Sequence, residues 1–594
     1  MLKSSNDQTL RNNKINDELI PLVQAWQEMV YAYTLDVYQY RILNSLTALI
    51  ELDEVIEKTV EGLYTTNHNI DCCRLETLQI INKDDILEKY EKEVLNRLRT
   101  HLGKKVDKLH EQKTLGYQVK YAINKLKINY LKNLFKELYD SILNRNNELI
   151  IEYSNLIISQ SISNGWSARA LFELIKHFKT DESLQEKWEK FKSAIESHTD
   201  TKHDTLIQVP LHYNTSKEKL ESIGITMKTY AELVEEYSDI ANIETTLKNG
   251  KNYIMLQVDA ADVYSAAHFA IREMSELMNF ASFYNLIDTW DIKSLLVVSI
   301  NKVTKYYKTI KSDELYQTYD YLDSSGNIFE STRNIFRSDD KKNIQTKLQG
   351  AFAYTNISRS SLFQEEKYMN LWVAIESLAR TDMYADIISN VKEILPASLS
   401  IRYIYRIVRN FIEDCGRCGI RYDFSDRNID LRQESKRRLV KETIEVLQNE
   451  IIYQELLNKC AINTMLHYRC EQVKKLVCDL QYALKKIENH HDKVKWQIQR
   501  LYRIRNEIAH SALQEQSSLI IYIEHMYDYL SIFILEIVTC IEDKKLESLG
   551  EVYTVIKDNY DLFIEFSKSK VASDQNIVKN SVLKTGIIDL LFNE

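Results

Sequence analysis

The sequence contains few residues that interrupt helices, with 3 Pro and 12 Gly among its 594 residues. Proteins built from many short strands need such residues at frequent turns, so a mainly β fold is disfavoured. Leu, Ile, Lys and Glu are abundant instead, and most of these residue types favour helices. A chain of this length divides into several domains. We therefore expect a mainly α-helical protein with three or four domains.

Cysteine and long apolar runs are also scarce. Eight Cys in a chain of this size form no disulfide framework, which is typical of a reducing compartment. The N-terminal residues lack the apolar core of a signal peptide. The longest apolar run, residues 529–541, is interrupted by Glu536 and is too short to span a bilayer. These features predict a soluble, cytoplasmic protein without a membrane partner.

The signature motifs of several enzyme classes are missing. No Gly-x-Gly-x-x-Gly, Walker-type, Gly-x-Ser-x-Gly or His-Glu-x-x-His pattern occurs, which argues against nucleotide binding and against the hydrolases that use those motifs. Cys415 and Cys418 have the spacing of half a zinc site, but no second pair is near, and Cys470 with His467 is a weak substitute. We expect neither a metal nor a cofactor.

Acidic residues outnumber basic ones by 86 to 77, which gives a net charge of −9. This balance argues against a protein that binds polyanions over its whole surface, but it allows a local basic groove. Residues 484–510 carry seven Lys or Arg against three Asp or Glu. Such a segment is either a solvated helix face or part of a binding site.

The same segment has apolar residues at helical spacing and no Gly or Pro from residue 497 to residue 510. On a wheel that turns about 100° per residue, four residues form one apolar face: Val494, Ile498, Leu501 and Ile508. Arg505 falls inside this face. A buried guanidinium is costly unless a carboxylate, a phosphate or carbonyl groups accept its protons. We therefore expect Arg505 to meet such a partner.

Asn506 and His510 are four residues apart and share the neighbouring helix face. A His near a helix end is often a polar cap that satisfies carbonyl groups. Beside a guanidinium and an amide, the same imidazole could instead transfer protons. The spacing alone does not decide between these two interpretations.

The wider sequence resembles a known family. Arg505-Asn-Glu-Ile-Ala-His510 resembles the signature of the HEPN superfamily, in which an Arg, a polar residue and three further residues precede a His. Within this superfamily it is most similar to the Apea-like HEPN branch, which is known for bacterial anti-phage proteins. Residues 367–378, with an aromatic stripe and the embedded Glu376, are similar to the first core helix of that branch. The resemblance covers about residues 341–545.

This resemblance implies a metal-independent endoribonuclease whose catalytic residues are Arg505, Asn506 and His510. His510 would move a proton at the ribose 2′-hydroxyl or at the leaving oxygen, Arg505 would hold the scissile phosphate, and Asn506 would orient His510 or bind phosphate. Attack by the 2′-hydroxyl requires RNA and leaves a cyclic phosphate. The resemblance also implies a homodimer that brings two copies of the motif into one cleft.

Further residues receive supporting roles. Glu376 is either a solvated helix carboxylate or the partner of Arg505. Glu507 is assigned an ion pair with Arg503, four residues earlier. If the segment binds RNA, its candidate contacts are Lys495, Arg500 and Arg503.

Composition and periodicity divide the chain into four parts, and the resemblance implies the identity of the third. The predicted parts are a helical domain of unknown role (1–202), a small α+β domain suited to sensing or regulation (203–338), an Apea-like HEPN bundle (339–545) and a C-terminal appendix of short helices (546–594). In the α+β domain we predict strands at 205–212 and 252–259 and a hairpin at 314–333. The charged segment 179–202 is predicted to be a connection.

The implied role is bacterial anti-phage defence or abortive infection, started by a phage-derived or protein trigger. Two alternatives remain open. The first is a non-catalytic HEPN protein that binds RNA or dimerises through the motif. The second is a toxin component that a partner protein regulates.

Overall fold

The structure is a computed structural model. It describes residues 6–30, 43–64, 67–196, 201–210, 217–222, 224–285, 290–300, 305–311, 326–361, 363–381, 384, 386–420, 423–424, 427–428, 436–511 and 519–573. The fold is mainly helical, as predicted, with one five-stranded sheet. No helix within these ranges is both long and apolar enough to cross a membrane.

The N-terminal helices share one hydrophobic core. They are α1 (Asp7–Asn12), α2 (Ile20–Val30), α3 (Ser45–Val60), α4 (His68–Ile81), α5 (Asp85–Tyr90), α6 (Lys92–Leu102), α7 (Leu109–Leu143), α8 (Asn147–Ser163), α9 (Ala168–Glu173) and α10 (Leu184–Glu196), with 3-10 turns at Asp17–Leu19 and Leu174–Phe178. Asn44, Asp84 and Asn146 start α3, α5 and α8, because their side chains accept hydrogen bonds from backbone N–H groups of the first turn.

The connection predicted at 179–202 is wrong for most of its length. This segment contains α10, whose Trp188 and Phe191 are buried in the N-terminal core. The ring of Phe191 meets that of Trp26 edge to face, with centroids 5.0 Å apart. The high charge of the segment lies on the opposite face of an amphipathic helix.

A small antiparallel sheet follows, with strand order β2-β3-β1-β4-β5. Its strands and the helices beside it are β1 (Thr201–Gln208), α11 (Lys217–Ser222), β2 (Thr226–Thr229), α12 (Tyr230–Glu236), α13 (Ile243–Thr246), β3 (Asn252–Ala260), α14 (Val263–Phe283), β4 (Ser294–Ile300) and β5 (Lys305–Lys311). One face of the sheet packs against α14, and the other covers α12 and α13. The two predicted strands correspond to β1 and β3; β2, β4 and β5 were not predicted.

The predicted hairpin at 314–333 is wrong in its second half. Residues 327–333 belong to the helix α15 (Gly326–Arg337), and residues 314–323 lie outside the described ranges. Phe329, Ile335 and Phe336 follow helical rather than alternating spacing. Ile335 is buried in the core of the C-terminal bundle, so this helix packs with the bundle and not with the sheet.

The C-terminal region contains two hydrophobic cores instead of one bundle. Its elements are a 3-10 turn (Asp339–Lys341), α16 (Lys342–Ser360), α17 (Gln364–Ala379), α18 (Ile387–Ile401), α19 (Tyr403–Arg417), β6 (Asp423–Phe424), β7 (Arg427–Asn428), α20 (Lys436–Gln448), α21 (Glu450–Cys460), α22 (Thr464–Cys478), α23 (Leu480–Ser511), α24 (Leu519–Lys544) and α25 (Leu549–Ser573). Helices α15–α18, α24 and α25 form the first core, and α19–α22 form the second.

Helix α23 belongs to both cores. Ala483 and Ile487 of its first half lie in the second core, whereas Ile498 and Leu501 lie in the first. The chain begins this helix at Asp479, whose side chain accepts a hydrogen bond from the backbone N–H of Tyr482 at 2.9 Å.

The described part of the C-terminal appendix predicted at 546–594 packs in the first core, and residues 574–594 lie outside the described ranges. Val552, Tyr553 and Ile556 of α25 are fully buried. The hydroxyl of Tyr553 donates to the backbone carbonyl of Leu378 on α17, at 2.5 Å. Residues 549–573 form one long helix instead of several short ones.

Candidate functional site

The two segments that carry the family resemblance pack against each other. The hydroxyl of Tyr368 on α17 donates to the carbonyl of Leu501 on α23 at 2.6 Å. One turn further on, the rings of Trp372 and Tyr502 are 5.9 Å apart. Because Tyr368 and Trp372 are fully buried, α17 fixes the rotation of α23 one turn before Arg505.

The apolar face predicted on α23 is confirmed, since Val494, Ile498, Leu501 and Ile508 are all buried. Arg505, predicted to lie within this face, is half-buried. Its Nη1 donates to Oδ1 of Asn506 at 3.1 Å. Its Nε is buried and meets no hydrogen-bond acceptor in the part of the chain that the structure describes. The guanidinium thus keeps unused donors at the end of the helix.

His510 lies in the last turn of α23, and its side chain is exposed. Asn506 lies one turn earlier on the same face and is half-buried. The amide oxygen of Asn506 therefore accepts a hydrogen bond from Arg505, and the residue precedes His510 by one helical turn. A substrate can reach this imidazole from solvent, because no other part of the described chain buries it.

Glu376 does not neutralise Arg505. It is half-buried on α17, and among the described residues no ion pair joins its carboxylate to this guanidinium. Of the two interpretations offered for Glu376, the described structure therefore does not show the one in which it pairs with Arg505. No carboxylate of the described chain forms a recognised ion pair with Arg505.

Arg500 and Arg503, predicted to bind RNA, are instead buried against the N-terminal domain. Nε of Arg500 donates to Glu51 on α3 at 2.8 Å, and its Nη2 donates to Glu76 on α4 at 2.5 Å. Arg503 donates to Glu51 and to the thiol of Cys73. Both guanidiniums are already paired with carboxylates, so the prediction that they bind phosphates is wrong for this arrangement.

The two guanidinium partners of Glu51 determine the direction of its pKa shift. Burial disfavours the charged form of Glu51, but the charges and hydrogen bonds of Arg500 and Arg503 outweigh this effect and lower its pKa to about 2. Glu76 has one guanidinium partner, and burial raises its pKa. Glu51 is therefore the principal counter-charge of the basic face of α23.

Lys495 and Glu507 also have partners that the sequence did not indicate. Lys495 donates to Glu393 on α18 at 2.5 Å, which leaves it only partly available to RNA. Glu507 pairs with Lys58 of α3 at 2.9 Å and accepts a hydrogen bond from Tyr64, whereas its expected partner was Arg503. The N-terminal domain thus holds α23 on both sides of Arg505.

Of the cysteine pair 415/418, Cys415 belongs to a cluster of thiols. Cys415 is buried in the second core, and the thiols of Cys415 and Cys470 lie within hydrogen-bonding distance of that of Cys460. Cys418 is only partly buried. Within the described ranges no group of three or more His, Cys, Asp or Glu side chains is arranged to hold a metal ion.

The chain was also compared with protein-family models, with curated proteins and with solved structures, and none of the three comparisons found a match. The functional argument therefore depends on the residues themselves. The sequence did not indicate that Glu51, Glu76 and Tyr368 contact the helix that carries the candidate site. The two carboxylates lie more than 400 positions before their partners, and no local sequence pattern signals such a contact.

Proposed function

We propose that this chain is a metal-independent endoribonuclease of the HEPN type, with Arg505, Asn506 and His510 as its catalytic residues. The observation that carries the proposal is that the three guanidiniums near the end of α23 differ in their ion-pair partners. Arg500 and Arg503 are paired with carboxylates. Among the described residues, Arg505 has only the neutral Asn506 as a partner and keeps an unused, buried Nε, which suits it to a phosphate.

The reaction begins with attack of a ribose 2′-hydroxyl on the adjacent phosphorus. The new O2′–P bond forms as the P–O5′ bond breaks, and the products are a 2′,3′-cyclic phosphate and a 5′-hydroxyl. A neutral imidazole takes the proton of the 2′-hydroxyl, and an imidazolium supplies a proton to O5′. Arg505 stabilises the charge that develops on the non-bridging phosphate oxygens.

One His510 can be the base or the acid in a given turnover, but the reaction needs both. We propose that a homodimer supplies the second imidazole, because a two-fold axis brings the same surface of two protomers together. The exposure of His510 at a helix end supports this arrangement. Molar-mass measurement by light scattering tests it: a monomer at working concentration that cleaves RNA contradicts the shared site.

We place the enzyme in anti-phage defence, where RNA cleavage has to be restrained until infection. The defence role rests on the resemblance to the Apea-like HEPN branch. The contact between the N-terminal domain and α23, in which Glu51, Glu76 and Lys58 hold residues on either side of Arg505, offers a means of restraint. A trigger that moves this domain would also move the catalytic helix.

The central experiment incubates the purified full chain with labelled RNA in the presence of EDTA. The chain should cleave the RNA and leave a cyclic phosphate, and RNA with a 2′-deoxy residue at the cut site should resist. His510→Ala should abolish cleavage, whereas the control His177→Ala, at a half-buried histidine of the N-terminal domain, should retain it. Full cleavage by folded His510→Ala protein overturns the proposal. Intact but shifted RNA with the unaltered chain supports the non-catalytic RNA-binding alternative.

A further inference from the structure

The positive charge of this acidic chain is concentrated far from the motif in sequence. Residues 97–136, which cover most of α6 and α7, contain eleven Lys or Arg and two Asp or Glu, a net excess of nine. The whole chain has a net charge of −9. A segment with this balance sets up a positive potential that attracts polyanions over about one Debye length.

The exposed side of α7 carries an aromatic and basic surface that we name the Tyr117 ridge. Its members all face solvent and fall within an arc of about 120° on the helix: Lys113, Tyr117, Tyr121, Lys125, Ile128 and Lys132. Tyr117 is 70% exposed and Ile128 is 73% exposed. Large apolar side chains aligned on one exposed face are typical of a binding surface.

Tyr117 and Tyr121 are one helical turn apart, so their rings repeat at about 6 Å along the helix. The cations of Arg97 and Lys125 lie over the ring of Tyr121, at 5.4 Å and 5.9 Å from its centroid. Within the described chain no aromatic ring stacks on Tyr117 and no cation lies over its ring. Its exposed face is free to stack on a flat ligand group.

The lysines of the ridge differ from those beside it. Lys120 pairs with Glu57 of α3 at 2.5 Å, and Lys105 pairs with Asp107 at 3.0 Å. For Lys113, Lys125 and Lys132 the described part of the chain provides no ion pair. Their charges are therefore available to phosphates.

The ridge is connected to the catalytic helix through the end of α3. Glu57 of α3 receives Lys120 of α7, and the next residue, Lys58, pairs with Glu507 of α23 at 2.9 Å. Gly116 allows α7 to approach α3 closely, since a Cβ there would lie 3.3 Å from Cγ2 of Ile56. These two ion pairs of α3 connect α7, at Lys120, to α23, at Glu507, three residues before His510.

We infer that the Tyr117 ridge is a binding site for single-stranded RNA that leads the strand towards His510. A base stacks on Tyr117, and Lys113, Lys125 and Lys132 bind the phosphates. This site supplies the RNA contacts that the paired Arg500 and Arg503 cannot supply. It does not depend on whether the chain cleaves what it binds.

Single-stranded RNA fits the ridge better than an anionic membrane does. The ridge is narrow, with one row of rings between lysines, and its rings are tyrosines with polar tips. Membrane-bound helices bury a wider face of Trp, Phe or Leu. A flat anionic membrane would also meet the net negative charge of the remaining surface, whereas a single strand touches only the ridge.

The test measures the affinity of the full chain for a fluorescein-labelled 20-nucleotide uridine oligomer by fluorescence anisotropy. EDTA is present, and the parent protein is His510→Ala, so that cleavage does not interfere. Lys113→Glu with Lys125→Glu is compared with Lys459→Glu with Lys485→Glu, which makes the same charge change at exposed lysines of α21 and α23. Circular dichroism melts check that each variant is folded.

The ridge pair should weaken binding by at least about tenfold, and it should reduce the slope of log affinity against log salt by about 1.4, because each lost phosphate contact on a single strand removes about 0.7. The control pair should change affinity by less than about twofold. Tyr117→Ala should weaken binding by about tenfold, and Tyr117→Phe should preserve it, because a phenyl ring still stacks.

Three outcomes overturn the inference. In the first, the parent does not bind the oligomer. In the second, the ridge pair binds it as tightly as the control pair does. In the third, vesicles containing phosphatidylglycerol bind the parent but not the ridge pair, while RNA affinity is equal in both. Absence of cleavage by the unaltered chain would overturn the nuclease proposal and leave this inference standing.

Discussion

Glu51 accepts a hydrogen bond from Nε of Arg500 at 2.8 Å, although 449 positions separate the two residues in the chain. The same carboxylate receives Arg503. Glu51 and Glu76 of the N-terminal domain together neutralise the two buried cations of α23, and Glu51 contacts both of them. Once such a pair is buried, removing one partner costs more than the pair itself contributes.

The first prediction concerns this carboxylate. Glu51→Ala should destabilise the chain by about 3–5 kcal/mol, because two buried guanidiniums lose their principal counter-charge. The melting temperature measured by calorimetry should fall by roughly 10 °C. Glu57→Ala is the matched control: its pair with Lys120 is exposed to solvent and should contribute less than about 1 kcal/mol. Equal losses in the two variants would contradict the prediction.

The second prediction separates stability from activity at Arg505. Arg505→Met should leave the melting temperature within a few degrees of that of the unaltered chain, because this guanidinium gives up only a hydrogen bond to Asn506. RNA cleavage should fall by roughly a hundredfold or more if Arg505 stabilises the transition state. Arg500→Met should show the opposite result, with a large loss of stability, because Glu76 loses its guanidinium partner and Glu51 keeps only Arg503.

These two Arg variants are measured side by side by calorimetry and by a single-turnover cleavage assay. Cleavage that survives in Arg505→Met at the original rate would remove this residue from the mechanism. A melting temperature lowered equally by both substitutions would show that Arg505 has a structural partner.

The third prediction concerns pH and the contact between the sheet domain and the bundle. Burial, assisted by the charge of Arg272, lowers the pKa of His268 to about 4, and its ring contacts the amide of Gln364 at the start of α17. The unfolded chain takes up this proton near pH 6.5. The contribution of His268 to the free energy of unfolding should therefore be constant above about pH 6.5. It should fall progressively as the pH falls towards 4, by about 3 kcal/mol in total.

The measurement is the melting temperature as a function of pH. His268→Gln cannot titrate and should show a smaller slope between pH 6.5 and 4 than the unaltered chain. His525 is buried with a pKa lowered to about 3 and stays in both proteins, so the difference between the two curves isolates His268. Parallel curves would contradict the prediction.

The fourth prediction uses a thiol as a reporter of the contact between α4 and α23. The thiol of Cys73 is buried and accepts a hydrogen bond from Arg503 at 3.0 Å, and burial raises its pKa to about 12. Cys73 should therefore resist iodoacetamide in the native chain at pH 8, whereas the half-buried Cys72 should react faster.

In Glu51→Ala protein the reactivity of Cys73 should rise, because the loosened contact opens more often. Cys470, fully buried in the second C-terminal core, should remain unreactive in both proteins, and peptide mass spectrometry distinguishes the three sites. Unchanged reactivity of Cys73 would show that Glu51 does not hold this contact closed.

Local periodicity was enough to predict the buried face of α23, since Val494, Ile498 and Leu501 recur at helical spacing and are buried. It also predicted strands at 205–212 and 252–259. The second matches Asn252–Ala260, whereas the first strand, Thr201–Gln208, begins four residues earlier than predicted. It was wrong for the second half of the hairpin, where a break in the sequence before Gly326 suggested a turn. It also treated α25 as an appendix, because a regular helix pattern does not show what the helix packs against.

The candidate site divides in the same way. The position of Arg505 in an apolar face followed from the helix period, whereas the pairing of Arg500 and Arg503 did not. Both partners of Arg500 come from another domain, and charge alone does not distinguish a paired guanidinium from one that is free to bind phosphate. The Tyr117 ridge was not recognised either, because the residues that face solvent become evident only when the packing of α7 on α3 is known.

Helix α23 runs unbroken for 32 residues, a rod of about 48 Å. Its first half packs in the second C-terminal core, and its second half packs in the first. Because both halves belong to one continuous helix, a change in side-chain packing around Ile487 should shift or rotate the helix end that carries His510. The alignment of the imidazole is thus set in part by aliphatic side chains some 35 Å away along the rod.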